Sequence, residues 1–403
     1  MAQEINVVAR TFEVTDTQGM TEELITLAGK AAGVCYMPDD YADAGIHNVE
    51  KAIKRAHNTA KSGHHSVFDH GHISFIIKTN KIMAMLLNSV AAYTTSEKSA
   101  RYTVMHPETE LELTLYEKWR SIFKDLILSG YEHMTEKEAD KLSIENARYL
   151  ISVFTKTTME YTISFRQAFL IVAYLERLIA DCSVLTDDFS RKLLESAKEL
   201  KVLFEEKLES DLLTDHKNQY FRFLEYQHSK RDVVAKKEVI GDSYTLVYEA
   251  SFAALAQLQR HRTIRYSMFF KGSASYYVPE IVKEAGKTKE WLEDMERVSY
   301  CVPQGTLLRI TEQGVFEDFA LKCKERLCGR VQLEVAKNTE QAVEKFIAGR
   351  ENLCEENQEL LASMTKISKE DGRMEPCARC LFSDFTCREG CSFGPVNALK
   401  RNI

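Results

Sequence analysis

Apolar positions recur every three to four residues through 109–131, 136–152, 163–183 and 187–209, and each stretch predicts an amphipathic helix. Two shorter runs differ. His72-Ile73-Ser74-Phe75-Ile76-Ile77 and Tyr244-Thr245-Leu246-Val247-Tyr248 are apolar, β-branched and aromatic, the composition of buried strands. Each leads into a small-residue apolar helix (KIMAMLLNSVAAY and SFAALAQLQ), then a polar segment, then a Tyr-bearing stretch that closes on Pro-Glu at Pro107-Glu108 and Pro279-Glu280. The two passes lie about 171 residues apart, a spacing that suits a duplicated domain and is too long for a solenoid repeat. The charged helix around 196–209, followed by Asp211-Leu212-Leu213-Thr214-Asp215, marks a boundary, and composition changes again after about residue 365. The expected division is therefore 1–212, 213–364 and a Cys-rich tail, 365–403.

Composition narrows the classes. With 403 residues, 44% hydrophobic and 28% charged, the chain can build two ordinary cores. A formal charge of −7 argues against binding a nucleic-acid polymer. No apolar run approaches the length of a membrane span, and the N-terminal residues show no secretory pattern, so a cytoplasmic protein with no membrane contact is expected. Six of the ten cysteines (Cys35, Cys182, Cys301, Cys323, Cys328, Cys354) are dispersed and read as reduced, mostly buried thiols.

Three clusters carry candidate chemistry. Arg260-His261-Arg262 closes an apolar helix. Two guanidiniums on one turn could clamp a diphosphate, or could simply answer the helix macrodipole. Gln257 lies three residues earlier, on the same helix surface. Gly63-His64-His65-Ser66-Val67-Phe68-Asp69-His70 matches no metal spacing. It reads either as a turn with Ser66 and Asp69 as helix caps, or as a cofactor contact by His64 and Ser66. In the tail, Cys377, Cys380, Cys387 and Cys391 form C-x2-C-x6-C-x3-C, which suits a structural zinc, the alternative being a reduced, flexible tail. An iron–sulfur cluster matches that spacing in no standard form.

These residues resemble the flavin-dependent thymidylate synthase family, in two partial passes over most of residues 60–335. The family's Gly-His-x-Ser/Thr-x-x-Glu-His turn is present at 63–70, with Asp69 in place of Glu. Ser96-Glu97-Lys98-Ser99-Ala100-Arg101-Tyr102 resembles Asn-Glu-x-Ser-x-Arg-Tyr, while Ser89-Val90-Ala91 stands where Arg-His-Arg belongs. The second pass is the reverse. Gln257 and Arg260-His261-Arg262 match, but Phe270 replaces the serine and Gly272-Ser273 replaces Arg-Tyr. Glu325-Arg326 and Val331-Gln332-Leu333-Glu334 resemble the later Leu-Arg and Ala-Gln-x-Glu. Asn146-Ala147-Arg148 resembles an Ala-Arg segment, and Ser164-Phe165-Arg166, followed by Arg177, resembles a remnant of Asn-x-Arg.

The resemblance implies an α+β fold of two related domains, each a small antiparallel sheet packed with long helices. It implies FAD held by Arg260, His261 and Arg262, with His64, Ser66 and Asp69 near its other portions. dUMP would be bound by Glu97, Ser99, Arg101, Arg148, Gln257 and Arg326, and Arg326 and His64 would act at the reacting rings. Methylenetetrahydrofolate would donate carbon and NADPH electrons, and a homodimer would mimic the family's tetramer. The complementary losses suggest that each half shed the role its partner retained. Two other readings stay open: an inactive flavin- or nucleotide-binding regulator or scaffold, and a flavin enzyme acting on another pyrimidine nucleotide.

Overall fold

The computed structural model describes residues 20–36, 48–89, 93–208, 212, 225–227, 237–270, 275–387 and 390–403. The expected boundary at 211–215, the Cys35 side chain, Val90-Ala91 and Gly272-Ser273 fall wholly or mainly outside them. In chain order the main elements are α1 (Met20–Tyr36), α2 (Val49–Lys61), β1 (His72–Asn80), α3 (Lys81–Leu87), β2 (Thr94–Glu97), α4 (Glu110–Gly130), α5 (Glu136–Ala147), β3 (Lys156–Ser164), α6 (Phe165–Ser183) and α7 (Asp188–Leu208). There follow β4 (Glu225–Gln227), β5 (Ser243–Ser251), α8 (Phe252–Leu258), β6 (Arg265–Phe269), α9 (Glu280–Glu284), α10 (Thr288–Arg297), β7 (Leu307–Val315), α11 (Phe316–Arg326), α12 (Leu333–Ala348), α13 (Glu355–Ser363) and the short pair β8 (Thr365–Ile367) and β9 (Met374–Pro376). The α+β class holds. Among the described residues, no helix is long and apolar enough to cross a membrane.

Contacts divide the chain into two units that are not linear segments. The first contains the described residues of Met1–Lys98 and Lys156–Phe221, the second those of Ser99–Thr155 and Arg222–Ile403. The helical hairpin α4–α5, expected with the first half, therefore belongs to the second unit, as does the tail.

In the first unit, β3 is central, with β1 and β2 antiparallel on either side. Its alternation buries Thr157, Met159, Tyr161 and Ile163, while Lys156, Thr158 and Glu160 point out, as a sheet with one buried face requires. β1 hands the chain to α3 at Asn80, whose side chain accepts the Met83 amide. β3 hands it to α6 at Ser164, where Gln167 completes a capping box. Phe75 packs edge-on to Phe204 of α7, at 5.3 Å between ring centres.

The second unit repeats this plan: β7 is central, with β5 and β6 antiparallel beside it and β4 added parallel to β6. Ser251 ends β5 and caps α8 through the Ala254 amide, as Asn80 does for α3. Gly314 faces Tyr244 across the ladder, and a Cβ there would meet the Tyr244 hydroxyl at 3.2 Å. One core of this unit joins α4 to α10 through Trp119 and Trp291, perpendicular rings 4.7 Å apart. The other joins Phe316, Phe319 and Phe346 to Cys377, Phe382 and Leu399, which ties the tail down. Segments 149–153 and 302–305 pair through backbone bonds such as Val153 N to Val302 O (3.0 Å) and Gly305 N to Tyr149 O (2.8 Å).

Candidate functional site

The second unit brings front-half and back-half residues together. Ser99 turns the chain: its Oγ accepts the Arg101 amide (3.3 Å) and its carbonyl accepts the Thr103 amide (3.0 Å). Arg101 then reaches Glu145 of α5 (2.9 Å) and donates to the Arg330 carbonyl (2.8 Å). Arg148 follows Glu145 by three residues, in the turn that closes α5, and is buried. Its guanidinium donates to Gln332 Oε1, which also accepts the Gln257 amide. Gln332 in turn donates to the Tyr149 hydroxyl, and Tyr149 donates to Glu334 (2.9 Å). Glu334 also accepts the Ser251 amide (2.7 Å) and hydroxyl (2.6 Å). Arg326, the last residue of α11, donates to the Gln257 carbonyl (3.1 Å).

These guanidiniums feel one another. Burial lowers the Arg326 pKa; Glu325 and Tyr266 oppose it, and the charges of Arg101 and Arg260 deepen it. Burial also lowers that of Arg148, with Arg101 adding to the effect against Glu145. For Arg101, burial is outweighed by Glu145 and the pKa rises. The Nε atoms of Arg101, Arg148 and Arg326 are all buried without a hydrogen-bond partner. Buried donors are ordinarily satisfied, so each of these Nε atoms is an unmet donor in a neighbourhood of like charge. Arg101 also opens on a pocket of ≈ 270 Å³ lined with Lys141, Glu145, Arg330, Cys391 and Arg401.

Arg260, His261 and Arg262 do not share a helical turn. α8 stops at Leu258 and the three residues form the bend into β6, with Arg262 exposed and His261 buried. His261 Nδ1 lies 3.3 Å from Glu325, the neighbour of Arg326, and that bond lowers the Glu325 pKa. His261 Nε2 is buried and unpartnered.

The remaining expected residues lie in the first unit. His64 and Ser66 are exposed on a 3-10 turn, His65–Asp69, which has no side-chain cap, so the capping role expected of Ser66 and Asp69 is not what the turn uses. Asp69 instead accepts from Ser164 Oγ (2.6 Å) and Arg166 (2.8 Å), joining the His-rich turn to the start of α6. The two motif remnants at 63–70 and 164–166 therefore meet. Glu97 accepts from Lys81 (2.8 Å) and Asn88 (3.1 Å).

The zinc site expected at Cys377, Cys380, Cys387 and Cys391 is not supported. Among the described residues, no three His, Cys, Asp or Glu side chains are grouped to hold a metal ion. Cys377, one residue past β9, leaves the set because it is buried in the core, where its thiol bonds the Met364 carbonyl (3.6 Å) and burial pushes its pKa up to about 11.

Glu145, Tyr149, Ser251, Gln332 and Glu334 were not among the expected site residues. The spacing of Glu145 and Arg148 on one helix carried a signal, but an acid and a base three apart ordinarily read as a solvated face. Gln332 and Glu334 were visible only as a motif fragment without a role.

The site thus gathers three arginines in an α+β unit, each partnered through its terminal nitrogens and each with a buried Nε left unpartnered. Residues 18–175 match the family model described as thymidylate synthase complementing protein, Thy1. The match covers the first sheet and the front-half contributors Ser99, Arg101 and Arg148. No curated protein matches the chain.

Proposed function

We propose that the protein binds FAD and reductively methylates dUMP to dTMP, with methylenetetrahydrofolate as carbon donor and NADPH as reductant. The observation that carries this reading is the convergence of Arg101, from the family-matched segment, with Arg326 and Gln257 from the back of the chain, each arginine keeping a buried, unpartnered Nε. Ser99 and Arg101 would hold the 5′-phosphate. Arg326 would hydrogen-bond a uracil carbonyl and stabilise negative charge developing on the ring, which makes C5 nucleophilic. Arg148, fixed by Gln332, would supply further positive potential. Gln257 would orient the ring edge from the same network.

The turn at 260–262 fits a flavin through its two guanidiniums and the unpartnered His261 Nε2, which suit a diphosphate and a polar ring edge. In the first unit, Asp69 and Arg166 fix the loop that presents His64 and Ser66. Bound flavin supplies the redox chemistry that the side chains lack. The protein's own part is orientation, charge stabilisation and exclusion of water.

The matching strand orders of the two sheets, β1-β3-β2 and β5-β7-β6, support an internal duplication in which the halves divided the family's motifs. On that reading a homodimer of this chain stands in for the family's tetramer, and native mass spectrometry showing only monomer would speak against it. Function is tested by incubating purified protein with dUMP, methylenetetrahydrofolate, FAD and NADPH. dTMP formation is expected, and yellow protein that binds dUMP without turnover would favour the regulatory reading instead.

A further inference from the structure

The second unit gathers thiols that the proposed reaction does not use. Cys328 lies just beyond α11, and its buried sulfur accepts the Arg330 amide at 3.5 Å. Gly329, between them, is where the tail comes close: a Cβ there would sit 2.8 Å from Cys391 Sγ, tighter than real Cβ contacts. Both sulfurs therefore rest against the same two-residue stretch, Gly329–Arg330. Cys380 belongs to the same neighbourhood. Burial pushes its thiol up, and Cys387, Cys391 and Cys328 push it further. Cys328 and Cys391 also both act on Arg401. Cys391 is half-buried and lines the pocket onto which Arg101 opens, so a small reagent can reach it. By contrast Cys182 and Cys323 are fully buried, and Cys301 is spent on the Val298 carbonyl.

We propose that Cys328 and Cys391 form an oxidation site that closes to a disulfide under a low-molecular-weight disulfide oxidant. The Cys391 thiolate attacks one sulfur of the oxidant, forming a mixed disulfide and expelling one small thiolate. The Cys328 thiolate then attacks the Cys391 sulfur and expels the second. Two protein thiols lose two electrons and two protons, and the oxidant becomes two thiols. The bond would pin the tail to the loop whose Arg330 carbonyl holds Arg101, so oxidation would act on the wall of that pocket. The covalent step does not depend on the proposed reaction.

The full-length protein is equilibrated across a series of oxidised and reduced glutathione, alkylated, digested and analysed by mass spectrometry. A Cys328–Cys391 cross-linked peptide is expected as the leading product, absent from Cys391→Ser and unchanged in Cys354→Ser. Gly329→Ala, which crowds the Cys391 sulfur, is expected to slow its formation several-fold while the protein stays folded. The proposal is overturned if both thiols remain alkylated throughout, if oxidation pairs other cysteines first, or if the purified protein carries a stoichiometric thiophilic metal on these thiols.

Discussion

In the first unit the central strand β3 buries Met159, Tyr161 and Ile163; in the second, β7 takes the same place between its neighbours and buries Leu308, Ile310 and Glu312. The substitution of a carboxylate into an otherwise apolar face changes everything around it. Glu312 accepts Lys322 at 2.7 and 2.9 Å, Tyr248 at 2.6 Å and Tyr244 at 3.0 Å. Tyr161, in the first unit, needs only the Leu87 carbonyl at 2.7 Å. The ends of the strands differ likewise. Ser164 caps α6 and is held by Asp69, whereas Val315 leaves α11 without a side-chain cap. One strand plan thus supports an apolar sheet beside a His-rich turn in one case, and in the other a polar sheet beneath the helix that ends in Arg326. The lesson is that topology sets where side chains point, and a few polar substitutions decide what the place can do.

The sharpest break in this comparison comes from Lys322→Met. It leaves the buried Glu312 carboxyl without its cation, and should cost about 3–5 kcal/mol in denaturant unfolding. Tyr161→Phe, at the central strand of the other unit, should cost only about 0.5–1.5 kcal/mol, the worth of one neutral hydrogen bond. Equal losses would mean that the polar sheet is no different in kind. Next in size, Arg101→Ala should weaken dUMP binding by about 2 kcal/mol, roughly thirtyfold by calorimetry, with flavin absorbance unchanged.

Asp69→Asn should move stability by less than about 1 kcal/mol, because its pair with Arg166 is partly exposed. Flavin content, read from the visible spectrum, should fall if the loop it fixes faces the cofactor. The smallest effect concerns acid. Ser392 and the Thr135 cap hold Glu138 down at about 2, below its ordinary 4.5. A carboxylate depressed in the folded state stabilises above its unfolded value and loses that contribution as pH falls through the folded one. The start of α5 should therefore loosen between pH 4.5 and about 2, followed by hydrogen exchange, and Glu138→Gln should remove that part of the acid response.

The helices were legible because their apolar stripes are long: 109–131 and 187–209 differ from α4 and α7 by one residue at each end. The two central strands were not legible. In β3 the inward positions begin with a threonine, and in β7 they include Glu312, so neither reads as an apolar run. The pairing across the units' inserts was hidden too, since nothing local in Ser99–Thr155 says that it packs with residues beyond 222. Arg101, Arg148, Gln257 and Arg326 were visible through motif fragments, and the structure brings these four into one network of bonds and charges. Gln332 and Glu145, which tie that network together, had no such signal. The expected helical turn at 260–262 failed because α8 ends two residues earlier, at Leu258.

The central claim is that arginines from opposite ends of the sequence serve one nucleotide. A double-mutant cycle tests it directly, with dUMP titrated calorimetrically into the flavin-loaded wild type, Arg101→Ala, Arg326→Ala and the double variant. The account predicts that each single change weakens binding and that the two effects are non-additive by at least about 0.5 kcal/mol, as for groups acting on one ligand. Strictly additive losses, or dUMP affinity indifferent to either arginine, would contradict it.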